Sequence, residues 1–328
     1  MGDGGALPLA DLRRVGNHYA GGHNAACVRS RSATAVNTTL QTETPPGADA
    51  GNADEAAYWN GPGGQRWLKR QPWQDHLLAP IAEILLERAA PGAGQFVLDI
   101  GCGCGATTFA LARSVAPTGH VLGIDVSVLM LERARQLAPA GLPADFALAD
   151  ATVYPFEPGR ADLLCSRFGV MFFADPARSF ANMRRGLRSG ARVAFTCWRQ
   201  PRENPWLMLP LQEVYRHVPR LPEVGPEDPG PFSFADERRV RRILERAGFS
   251  AVRLEPVDLL LDVANGQGLE AAVEATLAIG PASRALDGHP PAVLAAAAAS
   301  VRAALAPHQV AGAVPLGSAL WVVTATNP

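Results

Sequence analysis

Val97-Leu98-Asp99-Ile100-Gly101-Cys102-Gly103-Cys104-Gly105 is the stretch around which this 328-residue chain is arranged. The apolar run Phe96 to Ile100 predicts a short buried strand. It breaks into glycines at every second position, and residues 106–115 then predict a helix that begins at Ala106. Glycine permits φ > 0 and lets a ligand approach without a Cβ in the way. The helix start behind the turn offers unpaired N–H groups. A strand, a glycine turn and a helix in that order form a nucleotide-binding device.

Two cofactor classes fit the turn. Gly101-x-Gly103-x-x-Ala106 satisfies the dinucleotide fingerprint G-x-G-x-x-G/A. Asp99 separates the classes: its carboxylate is awkward beside a pyrophosphate and comfortable beside the cationic amino group and sulfonium of an S-adenosyl nucleoside. The following strands extend the pattern. His120-Val121-Leu122-Gly123-Ile124 ends in Asp125, placed to accept from both ribose hydroxyls of either cofactor, and Ser127 caps the next helix. Strand three, 145–148, ends at Asp150. Strand four, 162–166, ends at Ser166. A helix from Pro176 to Leu187 precedes strand five, 192–198, which ends at Trp198. Alternating strands and helices predict a parallel sheet covered on both faces, with ligands outside the carboxyl ends of the strands. Asp99, Asp125, Asp150, Ser166 and Trp198 all fall there.

Composition narrows the function class. The chain is 48% hydrophobic with a net charge of −1, so no basic excess favours a nucleic-acid surface, and no apolar run approaches a membrane span of ~20 residues. Five cysteines, Cys27, Cys102, Cys104, Cys165 and Cys197, predict reduced thiols and a cytoplasmic setting. Flanking glycines account for Cys102 and Cys104 better than a metal does, since no second Cys/His pair has zinc spacing.

Outside the core, residues 1–52 predict a disordered, dispensable leader, and 53–328 form the folded domain. Helices over 53–93 bring Tyr58, Trp59 and Trp67, which either pack on the sheet or flap over the cofactor. Seven prolines between Pro205 and Pro231 mark residues 201–232 as an insertion. Residues 269–306 are an alanine-rich helical excursion within a second cap insertion, 265–315.

VLDIGCGCGATT (97–108), VLGIDVS (121–127), the pair Asp150-Ala151 and SRFGVMFFADP (166–176) resemble the class I S-adenosylmethionine (SAM) methyltransferases, particularly the small-molecule enzymes of quinone biosynthesis. YWNGPGGQRW (58–67) is similar to the amino-terminal signature of many bacterial members. The resemblance implies a Rossmann-like α/β fold. Its seven-stranded, mostly parallel sheet carries helices on both faces and an antiparallel last strand, here with helical cap insertions. It also implies a SAM site of Asp99, Gly101, Gly103, Gly105, Asp125, Val126, Met130, Asp150, Ala151 and Ser166, with S-adenosylhomocysteine as product. Asp150 would accept from the adenine amino group. Strand four lacks the Asn/Asp-Pro-Pro-aromatic motif of amino-methylating nucleic-acid enzymes, so the expected partner is a small apolar or aromatic acceptor. Its pocket would draw on Trp59, Phe168, Met171, Phe172, Trp198, Trp206, Met208 and Phe232. The sequence names no general base. A non-catalytic SAM-binding regulator and a nicotinamide-dependent oxidoreductase are the competing readings.

Overall fold

A computed structural model describes residues 47–328. Strands β1 (Phe96–Ile100), β2 (His120–Asp125), β3 (Ala144–Leu148), β4 (Ala161–Arg167), β5 (Leu187–Trp198), β6 (Ser250–Asp262) and β7 (Pro315–Thr326) form one sheet in the order β3-β2-β1-β4-β5-β7-β6. β1 to β5 pair in parallel. β7 runs antiparallel between β5 and β6. This is the α/β architecture that the alternating pattern predicts.

The period of two along the strands divides the core into two faces. Val97, Leu163, Cys165 and Ala194 meet Leu85, Leu111 and Val115 from helices α4 (Ala79–Ala89) and α5 (Ala106–Val115). Their neighbours Leu98, Leu164, Val193 and Phe195 point the other way. There they meet Phe180 and Met183 of α7 (Pro176–Arg185) and Val240 and Leu244 of α9 (Glu237–Arg246). Both faces of β1 and β4 are therefore covered, as near-continuous apolar strands require.

Several boundaries differ from the sequence reading. α7 stops at Arg185, and β5 begins at Leu187 because Leu187 pairs with Ala161, across a register shift, before the regular ladder starts. The proline-rich 201–232 segment contains a helix, α8 (Pro205–Val214). Pro205 occupies its first turn, where no N–H is needed, and only Pro210 is interior. α8 packs on β7 and on the excursion, which is three helices: α10 (Leu269–Ala278), α11 (Gly280–Ala285) and α12 (Pro291–Leu305). The remaining α-helices among the described residues are α1 (Ala53–Asn60), α2 (Pro62–Lys69), α3 (Gln71–Leu77) and α6 (Val128–Leu137).

The leader boundary needs correction. Asn52 is buried, and a short 3₁₀ turn, Ala50–Asn52, joins directly onto α1. Residues 49–52 belong to the folded part because Asp150 draws them in, as described below. The rest of the expected leader, residues 1–46 with Cys27, lies outside the described residues.

Candidate functional site

The glycine turn is shaped by positive φ angles and by hydrogen bonds to its backbone N–H groups. Gly101, Gly103 and Gly105 have φ of 66°, 55° and 86°, a region L side chains rarely adopt. Gly101 N–H donates to the Ile124 carbonyl at 2.8 Å. Asp125 ties the turn to β2: its Oδ2 accepts from Gly103 N–H at 2.8 Å and its Oδ1 from Ser127 N–H at 2.9 Å. A Cβ on Gly101 would lie 2.6 Å from the Gly169 Cα, whereas one on Gly103 meets only the Met130 Sδ, at 3.7 Å. Gly101 thus serves close packing of two turns, and Gly103 leaves a space open to a ligand. The sequence reading quotes Gly169 within SRFGVMFFADP but assigns it no packing role, although its position after Ser166-Arg167-Phe168 marks it as a turn residue.

The three carboxylates at the strand ends have different jobs. Asp99 is buried beneath the turn. Its Oδ2 accepts from Thr108 Oγ1 at 2.6 Å, and its Oδ1 has no hydrogen-bond partner among the described residues. Desolvation pushes this carboxyl up to about 7. Burial also raises Asp125, against the pull of its backbone donors. Asp150 accepts from Asp49 N–H at 3.0 Å, Asn52 Nδ2 at 2.9 Å and Thr152 N–H at 2.8 Å. It therefore clasps the segment before α1 as well as facing the cavity.

A cavity of about 490 Å³ opens above these strand ends. Its lining includes Gly101, Gly103, Asp125, Val126, Met130, Asp150 and Ala151, together with Trp59, Phe168, Met171, Phe172, Trp198 and Trp206. The aromatic rings pack in two groups. Phe168 stacks on Trp198 at 4.1 Å between centroids, with Trp206 5.1 Å beyond. Trp59 meets Phe172 edge-on at 5.4 Å and Trp67 at 6.1 Å.

Five of the expected site residues do not line this space. Asp99 lies buried under the turn, off the lining. Gly105 is spent on the helix start, where a Cβ would strike the Phe109 ring at 2.8 Å. Ser166 is a pin, donating to the Ile100 carbonyl at 2.7 Å and accepting from Gly169 N–H at 3.2 Å. Met208, two residues after Trp206, lies more than half a turn round α8. Phe232 gives way to Gly230 and Pro231. The lining also includes Tyr58, one of the aromatics the sequence offered as packing or flap, and Glu55, Asp75, Arg66, Arg167 and Arg284, to which the sequence reading gave no site role because they are brought in from α1, α2, α3, α11 and the end of β4. Burial raises the Glu55 carboxyl, opposed by Arg284. The Cys102 thiol is held well above its usual range and that of Cys104 is pushed up to about 12, so both stay protonated. Among the described residues no cluster of three or more His, Cys, Asp or Glu could hold a metal, and no helix is long and apolar enough to cross a membrane.

A family model described as a methyltransferase domain matches residues 97–190. The 2-phytyl-1,4-naphtoquinone methyltransferase of Nostoc punctiforme is 31% identical over 40% of this chain and 58% of its own length. The aklanonic acid methyltransferase of a Streptomyces species is 35% identical over 36% and 54%. The ubiquinone/menaquinone biosynthesis C-methyltransferase of Ralstonia pickettii is 30% identical over 51% and 72%. The chain thus spans little more than half the length of the first two relatives.

Proposed function

Because this chain belongs to the class I SAM-dependent methyltransferases, we propose that it moves a methyl group from SAM to a small, flat or apolar acceptor. The observation that carries this reading is one cavity joining the glycine turn and the Asp125 and Asp150 strand ends to a wall of aromatic rings. When bound, SAM supplies an electrophilic methyl group on a sulfonium and leaves as S-adenosylhomocysteine. The residues present fit it. The space over Gly103 admits a ligand where a Cβ would stand. Asp125 has one protein donor on each oxygen, which leaves lone pairs for ribose hydroxyls. Asp150 retains acceptor capacity toward an adenine amino group.

The aromatic wall has the other half of the task. Phe168, Trp198, Trp59 and Phe172 orient a planar acceptor and shed water, the two services that in-line transfer from an already activated donor most needs. Trp206 lines the same wall, and its Nε1–H is buried without an acceptor among the described residues. It suits an acceptor bearing a carbonyl or hydroxyl oxygen. The names of the relatives refer to a phytyl-naphthoquinone and to aklanonic acid, both oxygen-bearing, which is consistent with that class.

Calorimetry with SAM, followed by assay of S-adenosylhomocysteine release with hydroxynaphthoquinones and aromatic polyketide acids, tests the proposal. Binding of SAM and turnover of one such acceptor are expected. Failure to bind SAM, or co-purification of a nicotinamide dinucleotide instead, would overturn it.

A further inference from the structure

Arg167, the last residue of β4, brings its guanidinium to the cavity wall beside the glycine turn. Its side chain is only 11% exposed, yet among the described residues it donates no hydrogen bond of normal length. Its partner is Asp75, with Arg167 Nη2 and Asp75 Oδ1 3.8 Å apart. The other two arginines of the wall are engaged. Arg66 lies over the Tyr58 ring and pairs with Asp287 at 3.4 Å, and Arg284 lies over the same ring. No Arg167 nitrogen is among the fully buried unpartnered atoms, so its free donors reach the cavity space. An anion in the cavity would fill them with charge-assisted hydrogen bonds.

Asp75 is fixed in place. Its Oδ2 accepts from Gln71 Nε2, and Gln71 Oε1 in turn accepts from Arg133 Nε at 3.3 Å. The result is a cation and an anion side by side on the wall, too far apart to saturate each other. This arrangement complements a ligand that carries a carboxylate and an ammonium on one carbon. Asp99, expected to meet the ammonium, is off the lining, with its unpartnered oxygen buried beneath the turn.

We propose that Arg167 and Asp75 hold the α-amino-acid end of the methyl donor: Arg167 takes its carboxylate through two N–H groups and Asp75 takes its ammonium. The inference rests on the donor reading above. A carboxylate on the acceptor would suit Arg167 alone, so binding is measured without acceptor.

The full chain is titrated by calorimetry with three ligands. SAM has the whole amino-acid arm. Decarboxylated SAM keeps the sulfonium and ammonium but lacks the carboxylate. Methylthioadenosine lacks the arm. Wild type is expected to prefer SAM over decarboxylated SAM by about ten- to a hundredfold, the range of a charge-assisted pair. In Arg167→Met that preference should collapse to within about twofold, with methylthioadenosine affinity retained as the sign of an intact fold. Asp75→Asn should weaken both armed ligands alike. Should Arg167→Met not fold, the wild-type preference and its reduction in Arg167→Lys, which keeps the charge and loses the fork, decide the matter. A wild type that binds SAM without preference, or an Arg167→Met that retains the preference, overturns the inference and leaves the donor reading standing. An Arg167→Met that changes only acceptor turnover would assign the cation to the acceptor and overturn it too. A wild type that binds none of the three overturns both.

Discussion

On one wall of the cavity, Gly101, Gly103 and Asp125 are fixed by positive φ angles and by hydrogen bonds within residues 97–127. The aromatic part of the lining, a second wall, differs: Trp59, Phe172, Phe168, Trp198 and Trp206 come from α1, the loop after β4, the end of β5 and α8, and touch through ring faces and edges. The first wall is specified by backbone geometry, which tolerates little. The second is specified by bulk and shape, which can be repacked. The difference suits a site with one invariant ligand on one side and a variable one on the other.

The largest effect should come from attacking the backbone wall at its tightest point. A Cβ on Gly169 would sit 2.6 Å from the Ile100 carbonyl and 2.7 Å from the Gly101 Cα, with backbone on both sides. Gly169→Ala is expected to cost more than about 4 kcal/mol of folding stability, since neither neighbour is a side chain that can swing away. Denaturant unfolding would check this, and a loss below about 1 kcal/mol would mean that the backbone wall is as pliable as the aromatic one.

Next comes the charge beneath that wall. Burial lifts the Asp99 carboxyl from 3.8 to about 7 in the folded chain. A raised carboxyl favours the fold while protonated, and the folded state loses that advantage as pH rises from about 4 to about 7. Over this window wild type should lose up to about 4 kcal/mol more stability than Asp99→Asn. Parallel pH–stability curves for the two proteins would show that Asp99 ionises as freely as a surface acid.

The smallest effects should fall on the aromatic wall. Trp206→Phe keeps an aromatic ring, though a smaller one, and removes the unpartnered Nε1–H. It should alter acceptor selectivity while SAM affinity stays within about 0.5 kcal/mol. Met208→Ala, off the cavity, should change neither. If Trp206→Phe weakened SAM as much as it slowed transfer, the two walls would not be separable.

Much of the site was readable because its chemistry is local. The run 97–105 carries its own strand, turn and helix start, Asp125 ends the apolar strand β2, and Asp150 follows β3 by two residues. Asp99 and Ser166 fall off the lining for one reason: a polar residue at a strand end can point up to the cavity or down into packing, and the pattern is the same for both. Thr108 and the Ile100 carbonyl capture these two from below. Asn52 carries no signal at all until β3 is folded, because its partner Asp150 lies 98 residues away.

The sequence alone determined the α/β class, the position of the glycine turn and the strand ends at which a nucleoside would sit. Each of these follows from residue spacing over short distances, where the chain's own stereochemistry leaves few options. Only the tertiary structure decided which polar groups reach the cavity, that α8 exists within a proline-rich stretch, and that Arg167 faces Asp75 across an unfilled gap. Those outcomes depend on the packing of helices far apart in sequence, and burial sets the ionisation of Asp99 and the hydrogen-bonding deficit of Arg167 only once that packing is complete.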